Sequence, residues 1–165
     1  MAYITEKTPT ILFVDDEPQE VKYFKKAFSG VAHILGANSV DAAIEILNQH
    51  HEEISVIVTD QRMPNKNGVE LLDYSHKNYP EIVRILTTAF CDTQSAVEAI
   101  NRAEIFRYIS KPWDIDSLRA SLTEAIRRAS MRLSSETIIR ALTDDCEHWL
   151  KYATHAYDSQ EVYRH

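Results

Sequence analysis

Cysteine is nearly absent from this chain. Cys91 and Cys146 are the two it has, and they lie far apart and match no zinc or redox spacing. A disulfide framework or a zinc-built fold is not the expectation, and reduced thiols in a cytoplasmic protein are. Cys91 reads as a buried or idle thiol. No apolar run approaches the roughly 18 residues of a membrane span. Residues Met1 to Thr8 offer neither a basic leader nor an apolar segment of signal-peptide length. Positive charge is also in short supply: 18 Lys and Arg stand against 25 Asp and Glu, a net charge of −7. That balance argues against unspecific attraction to nucleic acid or to an anionic membrane. There is no low-complexity tract, and after Pro112 neither glycine nor proline occurs to break a helix.

What is present is ordinary globular composition, 44% apolar and 26% charged, in a length that suits one domain with a small appendage. Short apolar runs alternate with helical patterns. A first strand covers about 10–14, and Pro18 then suits the first turn of a helix carrying Val21, Phe24, Ala27 and Phe28. His33 to Ala37 reads as a second strand. Ser39 can cap a helix holding Ala42, Ala43, Ile46 and Leu47. A third strand spans 54–59, and the loop from Gln61 to Gly68 leads to a helix with Val69, Leu71, Leu72 and Tyr74. Two further strands are expected near 82–87 and 105–109. Between them Asp92 or Thr93 can cap a helix with Ala96, Val97, Ala99 and Ile100. Asp114 can cap the last helix of the domain, whose stripe is Leu118, Leu122, Ala125, Ile126 and Ala129. Five strands alternating with five helices predict an α/β fold with a doubly wound parallel sheet.

In such sheets ligands bind outside the carboxyl ends of the strands. The first strand ends on Asp15-Asp16 and the third on Asp60; Thr88 and Lys111 follow the fourth and fifth. Asp60 is the candidate nucleophile, because a carboxylate can accept a phosphoryl group as an acyl phosphate. That transfer needs positioning and charge neutralisation. Mg²⁺ suits the need, since it takes oxygen ligands and favours one or two carboxylates with phosphate and water. Crowded without a cation, the three acids would repel one another. Lys111 can meet a phosphate oxygen as a point charge, and the Thr88 hydroxyl can hydrogen-bond another. Singly, each is more often a turn residue, a cap or a solvated lysine. Their joint occurrence at four strand ends favours the chemical reading.

The stretches Val14-Asp15-Asp16-Glu17-Pro18, Thr59-Asp60-Gln61-Arg62-Met63-Pro64 with Gly68, Leu86-Thr87-Thr88-Ala89 and Tyr108-Ile109-Ser110-Lys111-Pro112 resemble the receiver domain of bacterial two-component response regulators. The resemblance covers about residues 8–128. It implies a flavodoxin-like receiver fold, a five-stranded sheet in strand order 2-1-3-4-5, and phosphorylation of Asp60 by a sensor histidine kinase or phosphotransfer protein. Asp16, Asp60 and the backbone carbonyl of Arg62 would hold Mg²⁺ (or Mn²⁺), with Asp15 supporting through water. Thr88 and Tyr108 would form the switch pair, and Lys111 would bind phosphate. Thr87 adjoins Thr88, but Thr88-Ala89 matches the family's Thr-Ala/Gly step. Arg62 and Phe90, each two residues past a key position, would flank the path of hydrolytic water and set the dephosphorylation rate. The text around Arg62, Phe106-Arg107-Tyr108 and Lys111-Pro112-Trp113 is most similar to receivers joined to HD-GYP cyclic-di-GMP phosphodiesterases or to hybrid histidine kinases.

Residues 129–165 carry the signature of neither output. Ser134-Ser135 could cap a separate helix, or the preceding helix could run on. Ile139, Leu142, Cys146, Trp149, Ala153 and Ala156 step by 3 or 4, the seam of an amphipathic helix that needs a partner surface. Cys146, His148 and His155 do not share one side of a helix, so a metal cluster there is not expected. The tail is a helical extension for homodimerisation or for docking a downstream protein, with no direct DNA binding expected. The expected function is a signalling phosphoacceptor rather than an enzyme. The alternatives are a phosphate sink or phosphorelay intermediate, and a haloacid-dehalogenase-type phosphatase. The last needs an acid two residues beyond the nucleophile, where this chain has Arg62.

Overall fold

The computed structural model describes residues 8–89, 101 and 103–161. Among these are five parallel strands: β1 (Thr10–Val14), β2 (His33–Ala37), β3 (Ile54–Asp60), β4 (Val83–Thr88) and β5 (Arg107–Ser110). They form one sheet in the order β2-β1-β3-β4-β5, the doubly wound order that the motifs implied. The described helices are α1 (Pro18–Phe28), α2 (Val40–His50), α3 (Gly68–Asn78) and α4 (Ile115–Glu161). The helix expected around Ala96 to Ile100 lies outside the described residues, as do Phe90 and Cys91.

The sheet is buried on both faces because alternate strand residues point to opposite sides. Ile11, Phe13, Val58 and Ile85 meet Phe24 and Phe28 of α1 and Leu118 and Leu122 of α4. Leu12, Val14, Ile57 and Leu86 meet Leu47 of α2 and Leu71 and Leu72 of α3. Two-sided burial is why these strands read as unbroken apolar runs. Each fully buried phenylalanine or leucine contributes roughly 1.5–3 kcal/mol.

Local chemistry sets the helix starts. Pro18 occupies the first turn of α1. The Ser39 hydroxyl accepts from the Ala42 amide at 3.1 Å and so caps α2. Asn67 and Glu70 make a reciprocal capping box at the start of α3. The Asp114 carboxylate accepts from the Ser117 amide at 2.8 Å. The Ser117 hydroxyl first, and this amide second, hold its pKa below the ordinary value.

One boundary differs from the sequence reading, and of the two courses open at Ser134-Ser135 the chain takes the second. The fifth strand was expected from about Ile105 but begins at Arg107. Glu104 turns the chain with a φ of 45°, and the Ala103 and Glu104 carbonyls accept from the Arg84 side chain instead of joining the ladder. Ser134 and Ser135 start no new helix: α4 continues through them, and the Ser135 hydroxyl donates back to the Met131 carbonyl at 3.0 Å. The chain divides into two compact units, one ending at Ser130 and the other beginning at Met131. In the second unit Met131, Leu133, Ile138, Ile139 and Leu142 are exposed.

Candidate phosphoacceptor site

Parallel pairing brings the strand ends to one edge. Val14 pairs with Thr59, so the next residues, Asp15 and Asp60, emerge side by side. Asp60 pairs with Thr87, and Thr88 pairs with Ser110, the residue before Lys111. The Lys111 ammonium sits between the first and third strands, 2.8 Å from Asp15 Oδ2 and 3.0 Å from Asp60 Oδ1. Both carboxylates are buried, Asp15 at 2% and Asp60 at 8% exposure. Backbone amides fix their orientation: Glu17 donates to Asp15 Oδ1 at 3.0 Å and Arg62 to Asp60 Oδ2 at 2.8 Å. Burial by itself would lower the Lys111 pKa. The hydrogen bonds to Asp15 and Asp60, with the charges of both, outweigh it and hold the pKa above the ordinary lysine value.

The remaining candidates differ in exposure. Asp16 is half-buried and has no hydrogen bond or ion pair among the described residues. Arg62 is exposed, and Tyr108 is half-buried against the α2–α3 side of the core. Thr87 and Thr88 are both buried, but the Thr87 hydroxyl is engaged inside the sheet, donating to the Thr59 carbonyl at 3.3 Å. Phe90 lies outside the described residues.

Gly68 packs α3 directly beneath the site. Its amide donates to the Gln61 carbonyl at 3.0 Å, and a Cβ there would overlap the Asp60 carbonyl oxygen. No larger residue admits this approach.

Among the described residues no three acidic, histidine or cysteine side chains stand together as a metal-holding group. The donor chemistry nevertheless fits a hard divalent cation. Asp15, Asp16 and Asp60 supply oxygens alone, and one ammonium, Lys111, lies against that acidic group.

Sequence reasoning missed two features. Arg84, one charge inside an apolar strand, is fully buried at 1% exposure; a charged residue in such a run was the available signal, since arginine is almost never fully buried unless paired. Trp113 stands edge-on to Phe13 and Phe24, with ring centroids 5.7 and 5.9 Å away, and the Lys111 ammonium lies 5.2 Å from its ring centre. Beside the site an open cavity of about 610 Å³ is lined by Glu20, Tyr23, Ala89, Lys111, Pro112 and Trp113.

A five-stranded doubly wound sheet with buried acids and a lysine at its carboxyl edge puts the candidate site where doubly wound α/β domains bind their ligands. The model of the response regulator receiver domain matches residues 11–123, and the chain belongs to that family. It is 33% identical over 129 residues to the hydrogenase transcriptional regulatory protein HoxA of Cupriavidus necator, a match covering 78% of this chain and 26% of that one. It is 30% identical over 134 residues to the regulatory protein AtoC of Escherichia coli, covering 81% and 28% of the two chains. The chain thus spans about a quarter of the length of these relatives. Among solved structures, the signal receiver domain of an HD domain-containing protein from Pseudomonas fluorescens superposes with a TM-score of 0.74 at 29% identity. That match covers 81% of this chain and 97% of the other. No helix among the described residues is long and apolar enough to cross a membrane.

Proposed function

We propose that Asp60 accepts a phosphoryl group from a histidine kinase or phosphotransfer protein, and that the chain signals through protein contacts that depend on it. One observation carries the reading: a single lysine ammonium bridges two buried carboxylates from neighbouring strand ends, at 2.8 and 3.0 Å. A carboxylate oxygen of Asp60 attacks phosphorus, the bond from phosphorus to the donor nitrogen breaks, and an acyl phosphate forms. Lys111 then meets the new phosphoryl oxygens, since its ammonium already lies against Asp60. Arg62, held beside Asp60 through its amide, carries a guanidinium but no general base.

Asp16, Asp60 and the Arg62 carbonyl would hold Mg²⁺ (or Mn²⁺), with Asp15 next to them. The cation would offset charge on the transferring group. Thr88 and Tyr108 would act as the switch pair. Thr88 is favoured over Thr87 because Thr88-Ala89 matches the family's Thr-Ala/Gly step. Residues 8–128 would be the receiver and 129–165 a helical element for homodimerisation or partner docking, a role that the exposed Ile138, Ile139 and Leu142 support.

The test is covalent labelling by a kinase or a small phosphodonor with Mg²⁺. Wild type should be labelled and Asp60→Asn should not, with circular dichroism unchanged. Labelling of Asp60→Asn at the wild-type rate would refute the assignment.

A further inference from the structure

We infer that Arg84 is the positioning residue that sets the register of β5, and through it the placement of Tyr108 and Lys111. β5 has little of its own to fix that register. It is four residues long, lies at the edge of the sheet and is at best half-buried. A slip of one residue would send Tyr108 to the opposite face and bring Ser110 or Pro112 to the place of Lys111. Pro112 could not replace the Lys111 amide, which donates to the Thr88 carbonyl at 2.8 Å.

Arg84 supplies what the strand lacks. Its side chain is buried and grips the chain on both sides of the β4–β5 connection. On the β5 side, Nε donates to the Ala103 carbonyl at 2.7 Å and Nη2 to the Glu104 carbonyl at 3.4 Å. On the β4 side, Nη1 donates to the Ile82 carbonyl at 2.6 Å and to the Pro80 carbonyl at 3.3 Å. Its own carbonyl accepts from the Phe106 amide at 2.8 Å. The Glu104 carboxylate, largely exposed, lies 3.9 Å from Nη2, farther than any of these four carbonyl oxygens. A planar fork with donors along several directions can span four acceptors, whereas a lysine ammonium cannot reach them together. The turn at Glu104 is therefore fixed relative to β4, and each residue from Arg107 to Lys111 meets its intended partner.

This inference rests on the phosphoacceptor reading only for its consequence at Asp60. Arg84→Met keeps bulk but removes the donors, and Arg84→Lys keeps charge but not the fork. In the full chain, exchange of single amides is followed by NMR together with labelling by a small phosphodonor and Mg²⁺. In both variants the Phe106 and Lys111 amides should exchange at least about tenfold faster, Phe13 and Val58 should change less than about twofold, and labelling should fall at least about tenfold. Exchange at Phe106 and Lys111 within twofold of wild type in Arg84→Met would overturn the inference. So would equal acceleration in every strand, which marks a residue that only stabilises the whole fold. Should Arg84→Met fail to fold, Arg84→Lys is judged by the same criteria. Absence of labelling in the wild type would refute the phosphoacceptor reading instead, and exchange alone then decides the register claim.

Discussion

Replacing each of the three glycines by alanine makes the same chemical change in three surroundings, and the structure ranks the outcomes. At Gly68 the new methyl would overlap the Asp60 carbonyl oxygen, lie 3.0 Å from the Asp60 carbonyl carbon and 3.1 Å from Leu86 Cδ1. Two of these atoms are backbone at the end of a buried strand and cannot rotate away. Overpacking of a rigid site costs roughly 1–3 kcal/mol, and this one belongs at the upper end. A loss of about 3 kcal/mol in a chain of this size lowers Tm by roughly 6–12 °C. Relief requires the end of β3 to move, and a shift of about 1 Å at the nucleophile slows labelling on the order of 10²-fold. At Gly36 the methyl would overlap Val21 Cγ1, on a stiff side chain of the core, and meet Lys25 Cε, which can turn aside; no backbone atom is in the way, so roughly 1–2 kcal/mol is expected. Gly30 has nothing within 4 Å and no positive φ, so its alanine variant should be neutral or more stable by roughly 0.4–1 kcal/mol. Thermal melts by circular dichroism and phosphodonor labelling of the three variants test the series. If Gly68→Ala melts within about 2 °C of wild type and is labelled at the wild-type rate, the close approach of α3 to Asp60 has been misjudged.

Other outcomes follow from the same geometry. Neither Arg62 nor Phe90 can orient or deprotonate water, so phosphorylated protein should decay slowly with Mg²⁺ alone; faster loss from wild type than from both Arg62→Asn and Phe90→Glu would contradict this. Truncation after Arg128 should leave a folded, labelled receiver but change solution mass or partner affinity, and identical values for both chains would remove the role given to residues 129–165. The Lys111 pKa is raised on folding, so its ion pairs stabilise fully below the unfolded value of 10.5 and are lost as pH rises through the folded value. Alkaline melts should show that loss in wild type and not in Lys111→Met.

Much of the fold was legible because both sheet faces are covered. The buried strands then appear as apolar runs, and any acid at their ends stands out. That is how Asp15, Asp60 and Lys111 could be read from the chain, and the Lys111 ammonium then lies within 3.0 Å of an oxygen of each acid. Thr87 and Thr88 are adjacent at a strand end and share composition, so only the Thr88-Ala89 step separated them by pattern; the bond from the Thr87 hydroxyl to the Thr59 carbonyl could not be read from the chain. Arg84 signalled itself as a charge in an apolar run, but its partners were hidden for a different reason. Its acceptors are backbone carbonyls up to 20 residues away, and carbonyls carry no sequence signature. The same blindness misplaced the start of β5. Periodicity saw the apolar Ile105 and Phe106, but not the positive φ at Glu104 or the Arg84 hydrogen bonds to Ala103 and Glu104 just before the strand.

Trp113 has an optical consequence. The indole is pinned edge-on by Phe13 and Phe24, and a full positive charge shared with Asp60 sits 5.2 Å from its ring centre. Indole emission responds in wavelength and yield to a charge at that range. The chain has one other tryptophan, Trp149, and Trp149→Phe would leave Trp113 as the sole indole. Any group on Asp60 that draws the Lys111 ammonium off the ring then changes the emitted light. The protein would report its own phosphorylation in real time, with no dye and no radioactive phosphate.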